Sequence, residues 1–240
     1  MQKTYVCRHI SSNFLLFNDY CEITETQHLI VFLERYGYKP LDLHIKELAA
    51  PLIHCLDRNQ FDGRTLVAVG EGGKKMLRAM VDIGLLPAQV ANICVKWNRE
   101  WAISGGNDYE TDIDVWNFSG ARLILVEDVI ASGETIEAFA SAVEARGGSV
   151  ESVVCGLISS NSPLLADFRL KIYSGASVGV TPDAKLDPFW FPAIYSYRHM
   201  YFGEIEMPDI YQKMANNYFQ GNIDGLRTAI ANSRRRTPAR

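Results

Sequence analysis

The sequence predicts an α/β protein whose parallel sheet is flanked by helices. Two observations predict it. From Thr65 onward, short apolar runs of strand length alternate with stretches of helical periodicity. Strands separated by helices pair in parallel through right-handed crossovers, and ligands of such sheets bind beyond the carboxyl ends of the strands. A chain of 240 residues, with 48% hydrophobic and 22% charged residues, has the size and composition of one large globular domain.

Residues 1–22 mix aromatic, Cys and polar residues, and only 14–17 (FLLF) reads as a short strand. Thr24 and Gln27 have capping-box spacing and open a helix that runs to about Tyr36, with Gly37 as its stop. A second helix is predicted over 45–59, kinked or split at Pro51. Residues 66–70 (LVAVG) are a buried strand, 71–75 (EGGKK) a Gly-rich turn, and 76–83 a helix. Residues 92–97 form the next strand. The polar insert 98–117 is too long for an ordinary connection, which suggests a lid rather than a plain hairpin. Residues 122–126 are the central strand and 136–145 its helix, followed by strands over 150–158 and 170–173. After Gly179 the chain turns rich in Pro and aromatics, then helical from Pro208 and again over 224–231, and ends in the basic tail 234–240.

Composition also excludes classes. No apolar run approaches the length of a membrane span, and the first residues lack the apolar core of a signal peptide. The five cysteines (Cys7, Cys21, Cys55, Cys94, Cys155) are odd in number and lack metal-site spacing. Disulfides and structural zinc are therefore not expected, and a cytoplasmic location is. A net charge of −4 speaks against nucleic acid as a general partner.

The stretch 123–135, LILVEDVIASGET, carries the chemistry. A buried strand, two acids, a small-residue turn and a helix N-terminus make an anion site, because the turn and the helix present unsatisfied N–H groups. Ser132 and Thr135 add hydroxyls, and Gly133 permits close approach. Glu127 and Asp128 suit a sugar diol or the water shell of a bound Mg²⁺. A phosphate cradle beside a diol clamp describes a ribose 5-phosphate.

This pattern resembles the phosphoribosyl-pyrophosphate (PRPP) loop of type I phosphoribosyltransferases. It has four apolar residues, two acids, two apolar residues, a small residue, Ser or Thr, Gly, any residue, then Ser or Thr. The resemblance implies a type I phosphoribosyltransferase-like sheet over about 60–180, with an N-terminal helical segment (1–60) and a C-terminal hood and tail (181–240) completing one domain. It implies Mg²⁺-dependent transfer of ribose 5-phosphate from PRPP to an N-heterocyclic base, with pyrophosphate released. Glu127 and Asp128 would be the catalytic acids, with Asp128 meeting the metal through water. Ala131, Ser132, Gly133, Glu134 and Thr135 would hold the 5-phosphate. Glu71, Gly72, Gly73 and Lys74, with Lys96 and Arg99, would face the pyrophosphate, Lys75 and Arg78 being further basic candidates. Similar enzymes carry a strained, often cis, peptide in this turn, so Glu71–Gly72 is the candidate here. The lid is implied as well, and homodimers are common among similar enzymes.

The acceptor is less legible. Oxopurine-type relatives carry an aspartate at position 131, where Ala131 cannot transfer a proton, which disfavours a hypoxanthine-guanine enzyme. Glu134 stands where the family usually has Gly, and its carboxylate must point away from a bound phosphate. Rings of the hood, Trp190, Phe191 and Tyr195, could stack on a planar base, and His199 could contact it. The alternatives are a PRPP-sensing regulatory protein that binds nucleic acid or a partner, for which the basic tail is the only support, and a transferase with an unusual acceptor.

Overall fold

The computed structural model describes residues 4–10, 14–17, 26–87, 92–95, 97–101, 107–111, 117–130, 133–159, 168–178, 212, 215–216 and 218–233. The chain divides into two compact units: Met1–Ile10 with Ile45–Val178, and Ser11–His44 with Gly179–Arg240. The first unit thus begins again at Ile45 and includes the first ten residues of the chain.

The first unit is a parallel sheet with helices on both faces. Its strands are β1 (Thr4–Val6), β2 (His9–Ile10), β5 (Thr65–Val69), β6 (Asn92–Val95), β9 (Arg122–Ile130), β10 (Ser149–Ser159) and β11 (Lys171–Val178). They run in the order β1-β11-β10-β9-β5-β6, with β2 also against β11. Every pairing in it is parallel. Helix α3 (Gly70–Asp82) links β5 to β6, and α4 (Glu134–Glu144) links β9 to β10. The alternation of side chains along β9 sends Leu123 and Leu125 into one core with Ile136, Phe139 and Val143 of α4. Ile124 and Val126 enter a second core with Met76, Leu77 and Met80 of α3. Burying each of these large side chains contributes about 1.5–3 kcal/mol.

Helix α2 (Ile45–Ala49) ends as Pro51 enters the first turn of a 3₁₀ segment over Ala50–His54, so the predicted long helix is split there, as a residue without an N–H requires. Leu48 of α2 is fully buried on a platform of two glycines. A Cβ on Gly175 would lie 1.7 Å from the Leu48 carbonyl oxygen, and one on Gly156 would lie 3.2 Å from Leu48 Cβ. The insert after β6 contains an antiparallel hairpin of β7 (Trp97–Trp101) and β8 (Asn107–Thr111).

At the amino edge of the sheet, Glu151 on β10 accepts hydrogen bonds from Arg64 Nε and Arg122 Nε, one on each carboxylate oxygen. Burial pushes the Glu151 carboxyl up, but the bonds from Arg122 and Arg64 outweigh it and hold it below the usual range.

The second unit is built on α1 (Thr26–Glu34), α5 (Ile223–Ser233) and a parallel pair of β3 (Phe14–Phe17) and β4 (Pro40–Leu43). Phe32, Tyr36 and Phe219 form an edge-on aromatic cluster, with Phe32 and Phe219 centroids 4.9 Å apart. Asn222 caps α5 by accepting from the Gly225 N–H at 2.9 Å and donates to the Tyr36 hydroxyl at 2.7 Å. Thr24, the expected cap of the first helix, lies outside the described residues.

Three expectations need correction. The helix after β5 starts at Gly70, not Met76, so the Gly-rich stretch is its opening turn. Strand β9 runs on to Ile130 and carries both acids within it. Cys7 and Cys55 are joined in a disulfide, which the cysteine count did not suggest. The two lie 48 residues apart in sequence, and only the insertion of β1 beside β11 brings them together.

Gly175→Ala is expected to destabilise the protein by about 1–3 kcal/mol or more in denaturant unfolding, since a backbone carbonyl cannot yield as a side chain can. Glu151 has a folded pKa below its unfolded value of about 4.3. Its contribution is present above that pH and is lost as pH falls through the folded value. Acid unfolding of Glu151→Gln is therefore expected to show a shallower stability loss below about pH 4.3 than the parent; an identical acid limb would refute the assignment.

Candidate active site

The crossovers diverge at one place. From β5 the chain passes through α3 to β6 on one side, and from β9 it passes through α4 to β10 on the other. The two helices pack on opposite faces, in separate cores. The carboxyl ends of the adjacent strands β5 and β9 therefore flank the switch point, where an open sheet offers a crevice to ligands.

The β5 side is built by glycines. Val69 is still extended, Gly70 turns at φ +63°, and α3 begins at once. That φ is one a Cβ-bearing residue avoids. A Cβ on Gly72 would lie 2.2 Å from Asp128 Oδ1, and one on Gly73 would lie 2.4 Å from the Val126 carbonyl oxygen. The bare backbone of the first turn of α3 thus lies against the end of β9. No side chain caps this helix at its N-cap, Val69. The first four N–H groups of a helix lack partners within it, and the helix dipole makes that end positive.

The β9 side supplies the charges. Asp128 is 6% exposed, with its carboxylate at the positive end of α3. Glu127 is half-buried, and its Oε1 accepts from the Asp128 N–H at 3.2 Å. Behind them Gly156 of β10 packs so closely that a Cβ there would lie 2.9 Å from the Asp128 carbonyl oxygen. After Ile130 the chain reaches Gly133, in the left-handed region at φ +92°, and α4 begins at Glu134, again with no side-chain cap. A second positive helix end therefore faces the same edge, with Thr135 half-buried in its first turn.

Cys155 stands in register with Glu127. Burial, assisted by the charges of Glu127 and Asp128 and opposed by Ser174, pushes its thiol up to about 12. It is held protonated and offers no nucleophile.

The structure sets Gly72 and Gly73 against Asp128 and the end of β9, while Gly133 and Thr135 open the helix that follows the same strand. Among the expected pyrophosphate contacts, Lys74 is exposed on α3, while Glu71 and Arg99 are described only through their backbone, in α3 and β7. Glu134 is likewise described only as the start of α4. Lys96, Ala131, Ser132, Trp190, Phe191, Tyr195 and His199 lie outside the described residues. Among the described residues no peptide bond is cis, Glu71–Gly72 included; the left-handed turn falls at Gly70 instead, because the helix starts there. Gly70 and Gly156 are site-building residues that the sequence reading missed. Gly70 was legible as a glycine directly after a buried strand, whereas Gly156 acquires meaning only from its neighbour in the sheet.

No family model matches the chain, and no curated protein matches it. Similar solved structures include a purine phosphoribosyltransferase from Pyrococcus horikoshii Ot3, at 16% identity over 60% of this chain and 92% of that one, with a TM-score of 0.38. A hypoxanthine phosphoribosyltransferase from Staphylococcus aureus is 16% identical over 56% of this chain and 73% of its own, with a TM-score of 0.44. An adenine phosphoribosyltransferase from Thermoanaerobacter pseudethanolicus is 20% identical over 54% and 80%, with a TM-score of 0.41.

Proposed function

We propose that the chain is a phosphoribosyltransferase of type I that transfers ribose 5-phosphate from PRPP to an N-heterocyclic acceptor and releases pyrophosphate. The observation that carries this reading is the pair of uncapped helix N-termini, α3 and α4, that open from neighbouring strands at the switch point with Glu127 and Asp128 beside them. Each helix end suits an anionic group. Neighbouring strands are roughly 5 Å apart and the helices turn to opposite faces, so two bound anions would straddle a pentose. The motif at 123–135 assigns the 5-phosphate to α4, which leaves the pyrophosphate to α3.

The acids take different parts. Glu127, the more exposed, is placed to accept hydrogen bonds from the ribose hydroxyls. Asp128, buried against Gly72, holds the first turn of α3 in place and presents negative charge to the ribosyl cation as the C1–pyrophosphate bond breaks. Among the described residues no group of three or more His, Cys, Asp or Glu could hold a metal ion. Two adjacent carboxylates beside an anion site fit Mg²⁺ that keeps its waters and is shared with the substrate phosphates, and not a resident protein cage. When bound, the ion would neutralise the leaving pyrophosphate. Glu127 or Asp128 would meet its water shell. The remaining work is positioning and exclusion of water, for which the β7–β8 hairpin is the proposed lid. A homodimer and a cytoplasmic setting are parts of this proposal. No helix among the described residues is long and apolar enough to cross a membrane.

Pyrophosphate release from PRPP with Mg²⁺ and a panel of purine and pyrimidine bases tests the reading. Release with one base is expected and would name the acceptor; PRPP binding without release from any base would favour a sensor or an unusual acceptor. The double variant Glu127→Gln, Asp128→Asn is expected to lose transfer while keeping its far-ultraviolet circular dichroism, and full activity in it would refute the roles of both acids. Gly72→Ala is expected to weaken PRPP at least about tenfold, roughly 1.4 kcal/mol, because the added methyl collides with the Asp128 carboxylate; unchanged affinity by calorimetry would remove α3 from the site.

A further inference from the structure

We propose that Cys7 and Cys55 form a reversible redox staple that holds α2 on the sheet behind Asp128. Cys7 lies between β1 and β2, and its N–H donates to the Ser174 carbonyl at 3.0 Å, so its backbone belongs to the sheet edge. Cys55 follows the 3₁₀ segment after α2, with its N–H on the Leu52 carbonyl at 3.1 Å. Their Cα atoms are 6.7 Å apart, within the span a disulfide bridges. Both residues are half-buried, within reach of a small thiol or disulfide.

Position gives the bond its consequence. The covalent ring it closes contains α2 and the whole excursion Ser11–His44, in which the chain leaves the sheet unit and returns. Helix α2 has only five residues, too short to be stable alone. It rests through Leu48 on Gly156 and Gly175, and Gly156 in turn abuts the backbone of Asp128. Tethering Cys55 to the sheet edge restrains this stack: α2 on Gly156, Gly156 on Asp128. Cys155 takes no part, because it is fully buried and held as a thiol.

The oxidant is a small disulfide such as glutathione disulfide. One cysteine thiolate attacks it, forms a mixed disulfide and expels one glutathione. The second cysteine attacks the mixed disulfide, the Cys7–Cys55 bond forms, and a second glutathione leaves. The two protons lost by the cysteines end on the two glutathione thiols, and two electrons pass from the pair to the oxidant.

The test uses the full chain equilibrated in glutathione buffers from fully reduced to fully oxidised. Thiols are alkylated and located by mass spectrometry, and thermal unfolding and amide hydrogen exchange are followed on the same samples. Cys7 and Cys55 are expected to lose alkylation together, in one transition. Reduction is expected to lower Tm by roughly 10 °C, as opening a ring of this size implies. It should also speed exchange at least tenfold in α2 and in residues 126–130. The double variant Cys7→Ser, Cys55→Ser should behave as the reduced protein in every buffer. Alkylation of both cysteines at all glutathione ratios would overturn the staple. Its formation with unchanged exchange in α2 and 126–130 would overturn the link to Asp128. Neither readout depends on PRPP, so either failure is separate from failure of the phosphoribosyltransferase reading.

Discussion

The contact between the first turn of α3 and Asp128 is the constraint on which the candidate site depends. A helix N-terminus can lie against a neighbouring strand only where its side chains are absent, and Gly72 and Gly73 remove them at the two positions that face β9. Gly70 makes the approach sharp enough by turning the chain at positive φ with no intervening loop. The result places a carboxylate, which is costly to bury, at the positive end of a helix dipole, where its charge is best tolerated. The same turn sets the start of the helix at the carboxyl edge of the sheet, so one piece of packing both buries a carboxylate and positions a helix end.

That contact is supported from behind. Gly156 and Gly175, side by side in β10 and β11, let Leu48 bring α2 down onto the sheet. Gly156 touches both Leu48 and the Asp128 backbone, so the position of the acid is tied to helix α2. At the other edge, Arg64, Glu151 and Arg122 join the starts of β5, β9 and β10. Their pairing is remote from the carboxyl edge and is structural. The sheet is thus clamped electrostatically at the end away from the candidate site.

Charge is divided by exposure. Of the two adjacent acids, alternation along β9 turns one toward α3 and leaves the other on the opposite side, next to the buried Cys155. Two residues identical in charge thereby receive different work: Asp128 is enclosed and fixed, and Glu127 is more accessible. Burial keeps the Cys155 thiol beside the acids protonated.

The amino-acid sequence by itself determined the parallel α/β class and the position of the central strand and its helix. Apolar runs separated by helical periodicity admit few other arrangements, and the acids, small residues and Gly133 appear as one contiguous string whose chemistry is local. Pro51 likewise announced the break after α2, because a missing N–H acts at its own position. What only the tertiary structure decided is everything that depends on a neighbour distant in the chain. Gly72 reads as part of a Gly-rich turn, and only the structure places Asp128 against it. Gly156 and Gly175 acquire their role only where Leu48 covers them. Residues 4–10 carry too short a pattern to be assigned, and they become strands because β11 offers them an edge. Cys7 and Cys55 become partners for the same reason. Local pattern reports what a segment does with its own hydrogen bonds and side-chain period; close packing between segments has no local signature, and here it is close packing that sets Asp128 against the helix.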